Sequence, residues 1–324
     1  METKISVVIP AFNAEKYIKK CLSSIKNQSF ADFEAIVVID GATDKTKEIA
    51  ESFAKNDDRF IIIEQENKGP SGAKNKGIDF AKGKYITFVD SDDYVDPDYL
   101  QTLFDTVKDV SIAICGFYTE TSDGTVKLKQ PFNSEKLTAE QILNRLILSE
   151  NAFGGYDCNK LYLLDLVNKE KIRFLTGQKY MFEDLLFNFK YLKCIDNGRC
   201  CDVCTYHYVH HESEGMSRGI GDINSKWLHY TDALDIILSE EDNRYGEFMY
   251  KVRMAKVWHC ATAVRVLAHF NEKHSDKYKE MCRYIGKNLI KYLCCKYLPV
   301  KKRLGGVLTY FCPKLSFVLW NKGR

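Results

Sequence analysis

Hydrophobic and polar positions follow two alternating rhythms over the first hundred residues. Residues 5–9 form a short continuous apolar run, the mark of a strand covered on both faces. Residues 15–26 then space Ile18, Leu22 and Ile25 at helical intervals. The runs 33–39, 60–64 and 85–89 repeat the first rhythm. The segments 44–55, with Asp44 as N-cap, and 70–81, opened by Gly69-Pro70, repeat the second. A further helix starts at Asp96-Pro97. This alternation predicts an α/β fold with a mostly parallel sheet flanked by helices and joined by right-handed crossovers. Ligands of such sheets sit beyond the carboxyl ends of the strands. Those ends carry Pro10-Ala11-Phe12, Asp40-Gly41, Asn67-Lys68-Gly69 and Asp90-Ser91-Asp92-Asp93, a convergence of polar and acidic groups.

The rest of the chain is less regular. A strand is expected over 110–118 with a turn at Asp123-Gly124, a helix over 138–149, mixed structure over 156–174, a helix over 182–191 and a strand over 199–209. From Asp222 onward the pattern is helical. The expected organisation is a domain over 1–217, with a ligand-binding half at 1–105 and a second half at 106–217, followed by a helical region over 218–324. No internal repeat is visible.

Composition changes this picture little. The chain has 324 residues, 45% hydrophobic and 28% charged, which is globular usage. Charges interrupt every stretch of the roughly 20 residues needed to span a bilayer, and the first residues do not read as a signal peptide. The net charge of +3 conceals an asymmetry: residues 281–324 carry ten Lys or Arg and no Asp or Glu, so the body is acidic. Within that tail Arg283, Lys287 and Lys291 recur every four residues beside Ile285, Leu289 and Leu293. Lys301-Lys302-Arg303, an apolar run, and Phe317, Leu319 and Trp320 follow. Basic and apolar faces with aromatics fit a peripheral helix on an anionic membrane surface; the alternative is a helical lid packed on the core. No nucleic-acid partner is expected, because no nucleic-acid fold signature accompanies the charge. The twelve cysteines read as reduced thiols. Zinc at Cys200, Cys201, Cys204 and His207 is disfavoured, because strand alternation would aim positions 201 and 204 at opposite faces.

Two carboxylates one residue apart after a buried strand, Asp90 and Asp92, can share a hard cation that also takes ligand phosphates. Equally, they can form a solvated turn before the next helix. The surroundings decide the expectation. The words Ser6-Val7-Val8-Ile9-Pro10-Ala11-Phe12-Asn13 with Glu15, Val38-Ile39-Asp40-Gly41-Ala42-Thr43-Asp44, 67–77 and 83–93 occur in order. More weakly, Asn159-Lys160-Leu161-Tyr162 and Phe182-Glu183-Asp184 follow. This series resembles the GT-A-fold nucleotide-sugar glycosyltransferases of family 2, over roughly two thirds of the chain.

The resemblance implies that Pro10, Ala11, Phe12 and Glu15 line a nucleoside pocket and that Asp40 accepts the uracil N–H. It implies that Asn67 and Lys74 hold donor phosphates or ribose, that Asp90 and Ser91 sit beside the ribose or metal, and that Asp92 ligates Mn²⁺ or Mg²⁺. Asp184 matches the family's catalytic base, with Glu183 as its neighbour; the other reading is dipole capping of a helix. His210 and His211 fall where the family often places a basic residue near the diphosphate, or they are incidental loop histidines. Two departures stand out: Ile39 replaces the first of two acids before the glycine, and Lys74 replaces an arginine, a point charge for a fork.

The expected activity is inverting transfer of a hexosyl or N-acetylhexosaminyl group from a UDP-sugar to a growing, lipid-linked oligosaccharide of a bacterial surface polysaccharide. The expected location is the cytoplasmic face of the plasma membrane. A sugar nucleotidyltransferase would need a glycine-rich, arginine-containing loop after the first strand, where 10–13 offers none. A carbohydrate- or membrane-binding module without catalysis is the non-enzymatic alternative.

Overall fold

The computed structural model describes residues 3–148, 153–177, 182–211, 231–240, 243–270 and 275–321. The chain divides into two compact units. The first comprises Met1–Ile142, Gly155–Gly177 and Phe187–Gly215, the second Leu143–Gly154, Gln178–Leu186 and Met216–Arg324.

In the first unit the apolar runs form β1 (Ile5–Ala11), β2 (Phe33–Asp40), β3 (Phe60–Gln65) and β4 (Tyr85–Phe88). Strands β1 and β2 are buried along their whole length, as continuous Val and Ile runs require of strands covered on both faces. The strands lie in the order β3-β2-β1-β4, all parallel. The crossovers are α1 (Ile18–Lys26), α2 (Thr46–Ala54) and α3 (Gly69–Phe80). Ile18, Leu22 and Ile25 are the buried stripe of α1, together with Cys21. Helix α3 lies so close to β1 that a Cβ on Gly77 would come within 2.2 Å of the Val8 side chain. Helix α1 begins at Ile18 rather than at Glu15. Asn13 adopts φ 45°, and the Tyr17 N–H closes a turn on the Ala14 carbonyl, so the chain reaches helical geometry only afterwards.

The sheet continues beyond β4 with mixed polarity. It adds β5 (Tyr94–Val95), β6 (Ile112–Thr121), β7 (Val126–Gln130), β8 (Glu135–Thr138), β9 (Lys160–Leu163) and β10 (Asn197–His210), making ten strands among the described residues. Strand β9 pairs antiparallel with both β4 and β6, and β10 runs parallel to β6. Register shifts break β10 between Cys200 and Cys204 and again before Tyr206. Cys200, Cys201 and Cys204 are all buried. Around the sheet lie α4 (Tyr99–Thr106) and α6 (Leu164–Lys169), with α5 (Ala139–Leu146) and α7 (Glu183–Leu192) at the segments where the units divide.

The second unit is helical over its C-terminal part: α8 (Asp232–Ser239), α9 (Gly246–His269), α10 (Asp276–Leu293), α11 (Val300–Phe311) and α12 (Pro313–Asn321). Met254, Val257 and Val264 of α9 meet Met281, Ile285 and Tyr292 of α10 in its core. Ser275 caps α10, its hydroxyl accepting the Tyr278 N–H at 3.2 Å. The basic tail is therefore packed helix on its inner face: Ile285 is buried, and Phe317 stacks on His269 at 3.9 Å between ring centres. No helix among the described residues is long and apolar enough to cross a membrane. The expected end of the first domain at 217, the start of the helical region at 222 and the Trp320 side chain lie outside the described residues.

Candidate active site

The carboxyl ends of β3, β2, β1 and β4 stand side by side, and their loops lock together through backbone donors. The Asn13 side-chain carbonyl accepts the Thr43 N–H at 2.8 Å, and Asp44 accepts the Glu15 N–H at 3.0 Å. The Glu15 carboxylate accepts the Lys45 N–H at 3.1 Å, and the Thr46 hydroxyl accepts the Ala14 N–H at 2.7 Å. Pro10 and Ala11 are buried in β1, while Phe12, the next residue, is 51% exposed at the strand end. Glu15 is placed at the same edge but spends its carboxylate on the neighbouring loop.

Asp40 is buried at the end of β2. Its Oδ1 accepts both the Gln65 amide at 2.6 Å and the Lys68 N–H at 2.8 Å. Oδ2 takes part in neither bond. Gly41 follows with φ 70°, and a Cβ there would come within 2.8 Å of the Asn67 backbone nitrogen. The glycine lets the β2 and β3 loops close on one another. Asn67 accepts the Gly69 N–H at 3.2 Å and opens α3.

Lys74 projects from α3 into the interior. Its ammonium lies 2.8 Å from Asp157 Oδ2 and 3.6 Å from Asp90 Oδ1, with the Phe174 ring centre at 5.2 Å. Asp90 is partly exposed, and Ser91 is buried beside it. Burial and then the Asp90 charge push the Asp92 carboxyl above the usual carboxylate range. Asp93 is wholly buried and is likewise raised, first by burial and then by Asp92 and Asp90. Its oxygens accept the Tyr206 hydroxyl at 2.6 Å and the Val209 N–H at 2.8 Å, joining the acidic turn to β10.

Among the described residues no three His, Cys, Asp or Glu side chains are arranged as a metal cage. The donor set nevertheless suits a Mg²⁺- or Mn²⁺-type ion, which takes one or two carboxylates and completes its shell with water and phosphate. Asp90 raises the neighbouring Asp92 carboxyl, an excess of negative charge in one turn that such an ion would relieve.

The histidines are placed as follows. The His211 ring lies 4.0 Å from that of Tyr17, tilted by 36°, and its Nε2 is 3.4 Å from the Asp92 carbonyl oxygen, which brings it to the acidic turn. His210 stands edge-on to Tyr208 at 5.0 Å. Glu183 and Asp184 are partly buried in the first turn of α7, within the segment 178–186 of the second unit. The residue before them, Phe182, holds φ 76°, a conformation costly for a bulky side chain, with its ring edge-on to His259 at 4.9 Å.

Sequence reasoning placed Asp93 in the acidic turn and weighed His207 only as a zinc ligand; it did not single out Asp157 or the partners of Asp93 and His207. His207 lies between the stacked rings of Tyr94 and Tyr118, with Glu120 Oε1 at 2.7 Å and Asp96 Oδ1 at 3.1 Å. Each depends on contacts between distant segments that no local word encodes.

This sheet, with its acidic turn at the end of β4, defines a GT-A fold. The sequence model of Glycosyl transferase family 2 matches residues 6–170, half of the chain, and the protein belongs to that family. The chain is 29% identical over 289 residues to the putative glycosyltransferase EpsH of Bacillus subtilis, covering 88% of this chain and 83% of that one. Its fold is similar to S. aureus TarS 1–349 in complex with UDP-GlcNAc, with a TM-score of 0.67, 19% identity, and 99% and 92% of the two chains covered. It is also similar to the mannosyltransferase PcManGT of Pyrobaculum calidifontis in complex with GDP-Man and Mn²⁺, with a TM-score of 0.56, 15% identity, and 98% and 88% covered.

Proposed function

We propose that this family 2 glycosyltransferase moves a hexosyl or N-acetylhexosaminyl group from a UDP-sugar to a hydroxyl of a lipid-linked oligosaccharide in bacterial surface polysaccharide synthesis. The observation that carries the reading is the convergence of Asp40, Asn67, Lys74 and the Asp90–Asp92 turn at adjacent strand ends. UDP-GlcNAc bound to a protein of similar fold supports a uridine donor.

In this reading Pro10, Ala11, Phe12 and Glu15 border the base, and Asp40 accepts the uracil N–H. Asn67 and Lys74 hold ribose or phosphate, with Asp90 and Ser91 beside them. Asp92, with Asp90 next to it, would hold a divalent cation. That ion, when bound, neutralises charge developing on the diphosphate. Asp184 takes the proton from the acceptor hydroxyl as its oxygen bonds to the anomeric carbon and the bond from that carbon to UDP breaks, a single displacement with inversion. Glu183 shares the turn with it, and His211 stands by the acidic turn.

The second unit supports a membrane-surface location. Val300, Leu304 and Phe311 are exposed along α11, and Leu315, Val318 and Leu319 along α12, beside exposed Lys301, Lys302 and Lys314. An apolar stripe flanked by lysines suits the headgroup region of an anionic leaflet, where a lipid-linked acceptor would be met.

The test is thermal stability against UDP-, GDP-, dTDP- and CMP-sugars, each with Mn²⁺ or EDTA. A ligand selective for the folded state raises the melting temperature by mass action. Stabilisation by uridine nucleotides alone, and only with metal, is expected. Stabilisation by none of them would remove the transferase reading of the site.

A further inference from the structure

We propose that a cleft between β6, β10 and the 155–159 segment is a subsite for a neutral pyranose ring of the acceptor, seated on the face of Tyr156. The proposal rests on the transferase reading above and names the acceptor chemistry of that site.

The cleft is a shallow depression that opens to solvent, so a ring would lie on its floor rather than be enclosed by it. Phe117, Thr119, Tyr156, Tyr206, Tyr208 and His210 form most of its wall, and none of its lining residues is Asp, Glu, Lys or Arg. His210 is the one lining residue able to carry charge, and a neutral ring would need no counter-charge.

The aromatic groups form a floor. Tyr156 is 45% exposed as a residue, and its ring centre lies 5.9 Å from that of Tyr208 at an interplanar angle of 23°. Phe117 meets it edge-on at 6.1 Å. One face of a pyranose presents C–H groups, and the electron-rich face of an aromatic ring attracts them. The hydroxyls around the sugar's rim would meet the polar groups of Thr119 and His210.

The floor is also held in place before any ligand arrives. The Tyr156 carbonyl accepts the buried Lys160 ammonium at 2.5 Å and the Asn188 amide at 3.1 Å. Fixing an aromatic platform in this way lowers the ordering cost of binding. Tyr206 is at once a wall of the cleft and the donor to Asp93, and its hydroxyl oxygen accepts the Asp90 N–H at 3.3 Å. The cleft therefore abuts the acidic turn assigned to the donor's diphosphate, which is where the acceptor sugar must stand.

Saturation-transfer NMR on the full chain tests this, with UDP and Mg²⁺ present at saturation. The probes are methyl β-glucopyranoside, methyl β-galactopyranoside and methyl β-N-acetylglucosaminide. At least one should receive saturation, Tyr156→Ala should cut that signal about fivefold or more, and Tyr156→Phe should retain it. The UDP signal should be equal in all three proteins, which also shows that they are folded. No transfer to any probe in the wild type, or an undiminished signal in Tyr156→Ala, overturns the subsite. If UDP gives no signal while a pyranoside still responds to Tyr156→Ala, the donor reading fails and the sugar site stands.

Discussion

Lys74 Nζ lies 2.8 Å from Asp157 Oδ2, and both side chains are almost wholly withdrawn from solvent. The pair links α3 to the segment before β9, and the same ammonium reaches Asp90. Removing one member of a buried ion pair strands the other charge, at a cost of about 3–5 kcal/mol, whereas replacing both with apolar groups costs much less. Asp157→Asn and Lys74→Met should each lower stability by an amount of that order, and the double variant should recover part of it. Chemical denaturation of all four proteins measures the cycle. Equal losses that simply add would show that the pair is not coupled.

Asp92→Asn should remove the metal dependence of nucleotide binding while leaving the fold intact, because Asp92 is placed at a turn and the sheet core does not depend on its charge. Titration of UDP with and without Mn²⁺, followed by calorimetry, reads this directly. Wild-type affinity in the variant with metal would take Asp92 out of the cation site.

The half of the molecule that carries the donor site was legible because each parallel strand is an uninterrupted apolar run, and its loop follows immediately in sequence. Gly41, Asp40 and the Asp90–Asp93 turn sit where the alternation puts them. The second half was read less well. Strands β5 and β8 are too short to leave a period, and register shifts interrupt β10 between Cys200 and Tyr206. Asp157 could not be read, since its partner lies in a different crossover unit. The stripe of the tail was visible, but not which side of it faces the core: Ile285 and Phe317 point inward, while Leu304 and Phe311 stay in water.

The Glu120 carboxyl yields a pH prediction. Burial pushes its pKa up, but hydrogen bonds from Tyr94 at 2.6 Å and His207 at 2.7 Å, with the charges of His207 and Lys20, outweigh that and hold it below the usual range. A carboxyl depressed in the folded state binds fewer protons there than when unfolded. Its contribution is thus complete above the ordinary glutamate value of about 4.3 and is lost as pH falls through the lower folded value. Acid unfolding of Glu120→Gln, followed by denaturant midpoints between pH 3 and pH 6, should show a flatter slope below about pH 4.3 than the wild type. An unchanged slope would mean that other carboxyls carry the acid dependence.

The exposed face of α11 and α12 can be separated from its packed face by substitution. Leu304→Ser with Phe311→Ser and Leu315→Ser touches only exposed positions, so the melting temperature should move little. Sedimentation with vesicles of phosphatidylglycerol and phosphatidylcholine should fall severalfold, and wild-type binding should weaken as salt screens the lysines. Undiminished sedimentation of the triple variant would assign that face to something other than lipid.

Asp184 offers the sharpest separation between catalysis and architecture. In the first turn of α7 a carboxylate interacts favourably with the helix dipole whatever else it does, an effect of about 0.3–1 kcal/mol at an exposed site. If that were its whole role, Asp184→Asn would lose a fraction of a kcal/mol in stability and little turnover. A general base is different: its loss costs about 10²- to 10⁴-fold in rate. Phe182, immediately before the pair, holds a positive φ, a conformation that clusters at active sites. Asp184→Asn should therefore keep UDP affinity and melting temperature near wild type while UDP release, measured with a lipid-linked glycan fraction as acceptor, falls at least a hundredfold. Near-normal release would return Asp184 to a capping role and leave the proton of the acceptor hydroxyl to another group.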